Sequence, residues 1–309
     1  AGDIISDVEH IIGSAFDDVI TGDEFTCVME GGQGNDIITG SDTANPNFVT
    51  VIVGGEAYRA GLYENTGDDT LMGSLGNDWL DGFDGSTYID GRDGIDSVFY
   101  GFDLVTGEGI VVDLQNGIAS GGHAEGDTLL NIENVYGSRN DDVISGDSGV
   151  NVLVGGAGSD TLNGRDGDDF FNGGFGKDIL TGGAGSDVFF FNENGSRNYD
   201  QVQFDDTITD FESADAIAIG EWRVFPDQPY EQLYVNPIFI DGAAFNNVAG
   251  EMRYYTDAGQ TIIEFDANGD GQSNEEITIS NGEFELLSIS DINGGFFIKI
   301  GAFGSDEGE

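Results

Sequence analysis

Ten aspartates recur at one position of a nine-residue motif, and this repetition is the most evident chemistry in the chain. The units GGAGSDTLN (155–163), GGFGKDILT (173–181) and GGAGSDVFF (182–190) show the pattern: glycines first, Asp sixth, an apolar residue eighth. Carboxylates set among glycine-rich backbone form an oxygen donor set, which suits a hard cation such as Ca²⁺. Glycine supplies the backbone angles of a tight turn, and an apolar residue two places past the Asp points inward from a short strand. The elements that must position the carboxylates are therefore turns alternating with short strands, repeated at a fixed period.

Six units run head to tail from Gly137 to Phe190. A first run starts at Gly13, Gly22, Gly31 and Gly40, and a second at Glu64, Gly73, Gly82 and Gly91, making fourteen units. The register places Asp18, Asp36, Asp69, Asp78, Asp96, Asp142, Asp160, Asp169, Asp178 and Asp187 at position six. A longer duplication overlies this one: GDIISDVEHIIGSAFDDVITGD (2–23) matches GDTLLNIENVYGSRNDDVISGD (126–147) at 11 of 22 positions. A larger module, with a leading strand before each set of turns, is thus repeated.

These nonapeptides resemble the repeats-in-toxin (RTX) family of type I secreted proteins, whose hemolysin-type calcium-binding repeats form a right-handed parallel β-roll. The segment DDTITDFESADAIAI (205–219) is similar to the capping segment of serralysin-type proteases, and 249–279 is similar to the C-terminal β domain of that group. The resemblance implies two nonapeptides per coil, with Ca²⁺ between units 18 residues apart. Asp then faces Asp at Asp18/Asp36, Asp78/Asp96, Asp142/Asp160, Asp160/Asp178 and Asp169/Asp187. Asp69 facing Thr87 and Asn151 facing Asp169 give weaker sites, and Cys27 facing Asn45 gives an empty one. Glycine-region carbonyls complete each shell.

A second metal loop stands near the C-terminus. Asp266, Asn268, Asp270, Gly271, Asn274 and Glu276 read D-x-N-x-D-G-x-x-N-x-E, which departs from an EF-hand because position twelve is Ile277. The flanking TIIEF and EITIS alternate like strands, so a Ca²⁺ loop in a β-hairpin is expected. Together the sites predict on the order of 6 to 10 Ca²⁺ per chain.

Composition points the same way. Asp+Glu is 59 against Lys+Arg 9, for a formal charge of −50, and Asp outnumbers Glu 39 to 20. Such a chain repels itself until cations bind, and its field disfavours nucleic acid. A lone cysteine, Cys27, excludes an internal disulfide. No apolar stretch reaches membrane-spanning length, and the first residues, AGDIISDVEHIIGS, lack the features of a signal peptide, which agrees with type I export. Beginning at Ala1 inside a module, the chain reads as a fragment or processed piece of a longer protein.

Catalytic patterns are absent from the sequence. There is no H-E-x-x-H and no G-x-S-x-G, and His10 and His123 lie far apart. Adjacent acids such as Asp141/Asp142 and Asp168/Asp169 point to opposite faces of a strand, and the repeat accounts for the second of each. Two stretches escape the repeat: 45–63, carrying Tyr58, Arg59 and Tyr63, and the aromatic 221–239, with Trp222. Core packing and exposed binding surface are both open for them.

The expected architecture is all-β: a first β-roll module over 1–125 with an inserted loop at 45–63, a second over 126–209, and a β-sandwich-like cap over 210–309. The expected role is a secreted, Ca²⁺-folded, non-catalytic scaffold at the cell surface, with possible end-to-end self-association. The rival readings are the C-terminal module of a larger secreted enzyme, serralysin-like or alginate epimerase-like, and a glycan-binding adhesin module.

Overall fold

A computed structural model describes residues 9–24, 26–42, 50–55, 67–101, 107–192, 205–225, 228–233, 238–239, 251–266, 271–273, 275–282, 284–290 and 296–302. These residues fall into two compact units, 1–147 and 148–309. Strands dominate both, and the one helical element among the described residues is a 3₁₀ turn at Gly122–Ala124. No described helix is long and apolar enough to cross a membrane.

In the first unit the chain winds between two parallel ladders. One contains His10–Ile12, Val28–Glu30, Thr50–Val53, Asp78–Asp81, Ser97–Phe99 and Asn134–Tyr136. The other contains Val19–Thr21, Ile37–Thr39, Thr70–Met72, Tyr88–Asp90 and Thr128–Leu130. A three-residue strand has one inward side chain, and within the repeat units position eight supplies it. Met29, Ile52, Leu80, Val98 and Val135 stack inward from the first ladder, opposite Ile20, Ile38, Leu71, Ile89 and Leu129 from the second. Fixing the strands at three or four residues keeps this core only two side chains thick, so turn chemistry carries an unusual share of the fold.

The ladder is not parallel throughout. Val111–Asp113 and Ile118–Ser120 form an antiparallel hairpin whose second strand pairs antiparallel with Thr128–Leu130, while the first pairs parallel with Val143–Ser145. The hairpin fills a gap between repeat runs, and its turn uses Gly117 at φ 64°, a left-handed angle open to glycine without strain. The segment 45–63 also corrects the expectation of a simple interruption. Its Thr50–Val53 is itself a rung of the first ladder, pairing Val51 with Val28, so Cys27 lies beside Thr50 and not Asn45. Asn45, Tyr58, Arg59 and Tyr63 lie outside the described residues.

The second unit begins with the cleanest repeats. Val152–Ala157, Phe170–Phe175 and Val188–Asn192 form one ladder; Thr161–Asp166, Ile179–Ala184 and Asp205–Ile208 form the other. Both continue past the nonapeptides. Ala216–Phe225 pairs parallel with Val188–Asn192 and antiparallel with Phe296–Ala302, which pairs with Phe284–Ser290. Glu275–Ile279 pairs parallel with Asp205–Ile208 and antiparallel with Gln260–Asp266, so the Asp266 to Glu276 segment is a hairpin connection as expected. Trp222 lies on the Ala216–Phe225 strand.

Phe171, Phe189 and Phe211 are buried in a continuous aromatic column, with ring centroids 5.0 and 5.8 Å apart, and Phe284 meets Phe211 edge-on at 6.1 Å. Phe189→Ala removes the ring between two aromatic neighbours. It is expected to cost about 3 to 5 kcal/mol in denaturant unfolding at saturating Ca²⁺, the range for a buried Phe truncation. A loss below about 1 kcal/mol would show that the column does not hold the roll to the strands that follow it.

Candidate calcium-binding turns

Where position six is Asp, the described turns bring its carboxylate to the edge of the roll, and most are bonded there to the adjacent coil. Asp36 Oδ1 accepts the Asp18 amide at 2.8 Å and Asp96 Oδ1 the Asp78 amide at 2.8 Å. Asp169 likewise accepts from Asn151, Asp178 from Asp160 and Asp187 from Asp169, at 2.8, 2.8 and 2.9 Å. The 18-residue pairs within each unit are therefore hydrogen-bonded neighbours. Asp142 belongs to the first unit, where it accepts from the Ile110 amide at 2.8 Å, and Asp160 belongs to the second.

Position five stitches the coils in the opposite sense. Asp17, Asp68 and Asp168 accept through Oδ1 from the amides of Asn35, Ser86 and Ser186, 18 residues ahead, at 2.9 to 3.0 Å. Asn35 and Asn77 do the same for Asp68 and Ile95. The first acid of pairs such as Asp168/Asp169 thus has a structural task, which the sequence reading left unassigned.

The same edge joins Asp69 across an insertion and contains four acids that the nine-residue pattern did not select. Asp69 Oδ1 accepts the Asp36 amide across 33 residues, Asp127 the Thr87 amide across 40, and Glu133 Oε2 the Asp96 amide across 37. In the second unit Asp206 and Asp215 accept from Asp178 and Asp187 across 28 residues. Asp127, Glu133 and Asp215 each immediately precede a strand, and DTLL (127–130), ENVY (133–136) and DAIAI (215–219) carry that local signal without the glycines.

The second carboxylate oxygen defines the candidate site. Asp36, Asp96, Asp187 and Asp206 are about 1% exposed or less, yet Oδ2 of each has no hydrogen-bond partner. Leaving a buried carboxylate oxygen unpaired is expensive in a protein interior. The oxygens face more oxygen. A Cβ added at Gly31 would lie 2.6 Å from the Gly54 carbonyl oxygen and closer still to Asp36 Oδ2; one at Gly91 would lie 2.5 Å from Asp96 Oδ2 and closer to the Asn131 carbonyl oxygen. Only glycine leaves that space open, and what converges on it is carboxylate and carbonyl oxygen.

Electrostatics agree. Burial, with the Asp78 charge adding to it, pushes Asp96 up to about 9, and burial with the Asp178 charge pushes Asp206 up to about 8. Burial also raises Asp78 and Asp187 to about 6 and moves Asp36 and Asp142 upward. A positive charge at each turn would reverse this destabilisation of the ionised form. The donor set, hard oxygens without nitrogen or sulfur, fits Ca²⁺. Among the described residues no three His, Cys, Asp or Glu side chains cluster to hold a metal, so each turn would add backbone carbonyls to its carboxylate.

The family model for the RTX calcium-binding nonapeptide repeat (4 copies) matches residues 6–24, 28–45, 65–98, 131–162 and 154–189. The rolls are built from RTX calcium-binding repeats. The matched spans contain all ten position-six aspartates. No curated protein matches the chain. The crystal structure of the extracellular lipase LipA from Serratia marcescens is similar over 84% of this chain, with 15% sequence identity and a TM-score of 0.30. The chain spans 43% of the lipase chain.

Other candidate groups have different surroundings. Asn268, Asp270 and Asn274 lie outside the described residues, and Glu276 Oε1 accepts from the Thr278 hydroxyl at 3.1 Å. His10 Nε2 is 2.7 Å from Glu30 Oε1, and buried His123 is 3.4 Å from Asp84 Oδ1. Tyr100, also buried, donates to Asp127 Oδ2 at 3.1 Å; burial raises Asp127 and Asp81 to about 7. Asp127 therefore has both oxygens bonded, unlike Asp36 or Asp96.

Proposed function

We propose that this chain is a calcium-folded extracellular scaffold, a secreted RTX module whose Ca²⁺ ions are structural and which acts as a unit of a surface assembly. The observation that carries it is the buried, unpartnered carboxylate oxygen at RTX turns such as those of Asp36 and Asp96, which faces a backbone carbonyl across a glycine. Such an arrangement needs a cation and offers a substrate little room. Extracellular Ca²⁺ matches sites of this kind, since extracellular modules bind at roughly 10⁻⁴ to 10⁻³ M, and export by a type I system follows from the same reading.

Within each coil the chain's own residues divide the work. Position six holds the carboxylate, its Oδ1 is fixed by the neighbouring coil's amide, and position one admits the second oxygen because it lacks a Cβ. Bound Ca²⁺ would supply the positive charge that these oxygens lack.

Metal analysis after gel filtration in Ca²⁺ buffer tests the reading, with on the order of 6 to 10 ions per chain expected. Two or fewer would mean that the turns are not cation sites.

A further inference from the structure

We infer that the residue at position two decides which turns need Ca²⁺: serine there satisfies the buried carboxylate from within the chain, and a left-handed residue leaves it to the cation. The inference rests on the calcium reading of the turns given above.

The turns come in two backbone forms. Position two is left-handed at Gly32 (φ 105°), Arg92 (φ 72°) and Gly183 (φ 98°), and these turns lead to Asp36, Asp96 and Asp187, whose buried Oδ2 atoms have no partner. Phe83, also left-handed at φ 55°, leads to Thr87, whose buried hydroxyl is equally unpartnered. Arg92 and Phe83 are held at this unfavourable angle by the preceding position nine, where Asp90 and Asp81 accept their amides at 3.0 and 2.9 Å.

Ser14, Ser74 and Ser138 stand at position two with ordinary negative φ. Each turns its amide onto the Asp four residues ahead, at 2.6 Å to Oδ2 of Asp18, Asp78 and Asp142. The serine hydroxyl adds a second bond, to Oδ2 of Asp18 at 2.8 Å, Oδ1 of Asp78 at 2.9 Å and Oδ1 of Asp142 at 2.8 Å. Asp78 and Asp142 are as buried as Asp36, so exposure does not explain the difference.

An amide proton at 2.6 Å occupies the lobe that a cation would take. It supplies positive charge there and repels a second one, and amide nitrogen is no ligand for Ca²⁺. Each of the three repeat runs contains one such turn, at Gly13, Gly73 and Gly137. A fourth Gly-Ser pair, Gly40–Ser41, leads to Asn45, outside the described residues.

The test counts bound Ca²⁺ on the full chain by metal analysis in saturating Ca²⁺, with calorimetric titration alongside. Asp36→Asn is expected to lose one ion relative to the unaltered chain, and Asp78→Asn to lose none. Loss of one ion by both variants overturns the role of serine and leaves the calcium reading standing. Loss by neither overturns both at these turns. Should Asp78→Asn not fold, Ser74→Gly decides: freeing position two for the left-handed form should add one ion and raise the Ca²⁺ midpoint of folding. An unchanged count and midpoint would overturn the inference.

Discussion

Stripped of Ca²⁺ by excess chelator at pH 7, the chain is expected to lose most of its β-structure and to regain it cooperatively as Ca²⁺ reaches about 10⁻⁴ to 10⁻³ M. Two forces oppose the metal-free fold. A formal charge of −50 with nine basic residues favours expansion, and buried carboxylates at Asp36, Asp96, Asp187 and Asp206 each leave an oxygen without a partner. Magnitudes favour a large effect. A site filled at a hundredfold excess over its Kd adds about 2.7 kcal/mol, and whole domains are stable by only about 5 to 15 kcal/mol, so a few turns suffice to control folding. Far-UV circular dichroism through a Ca²⁺ titration measures this, and a native β spectrum in excess chelator would refute it.

Protons should partly replace the metal. Asp96, Asp206, Asp78 and Asp187 are raised to about 9, 8, 6 and 6, chiefly by burial, against about 4 for an unfolded aspartate. The fold therefore binds more protons than the unfolded chain between pH 4 and these values, and its metal-free stability rises as pH falls through that window. The contribution is complete below about pH 4 and is lost as pH climbs past 9. In chelator the β-structure retained should increase from pH 9 to pH 6, a range in which exposed carboxylates stay ionised and overall charge repulsion changes little. In saturating Ca²⁺ the trend should reverse at the acidic end, because protons compete for the ligand oxygens. A chelated sample that retains more β-structure at pH 9 than at pH 6 would contradict the assignment of these buried groups.

Phe171 and Leu180 could be placed in the core from the repeat alone, since position eight of their units is the apolar residue that faces inward. The pairing of Asp160 with Asp178 and of Asp169 with Asp187 was equally legible, because the RTX resemblance implies two nonapeptides per coil and so stacks uninterrupted units 18 residues apart. Cys27 shows where this reasoning stops. Counting nonapeptides set it against Asn45, but the chain re-enters the ladder at Thr50, five residues later. Nothing in the motif counts residues through an insertion.

Insertions are tolerated because closing a longer loop adds little entropy cost, about 0.6 kcal/mol for each doubling of its length. Rungs therefore recur after 28, 33, 37 or 40 residues as readily as after 18, and Asp127, Glu133, Asp206 and Asp215 join the edge from outside the repeat. The amino-acid sequence by itself determined the period, the hard-oxygen chemistry and the inward column of apolar residues, all of which are local and repeat with the motif. Only the tertiary structure decided which distant acids share a rung and which carboxylates are already satisfied. The first depends on where each loop rejoins the ladder. The second depends on whether the backbone at position two turns its amide onto the aspartate, as at Ser74, or away from it, as at Gly32.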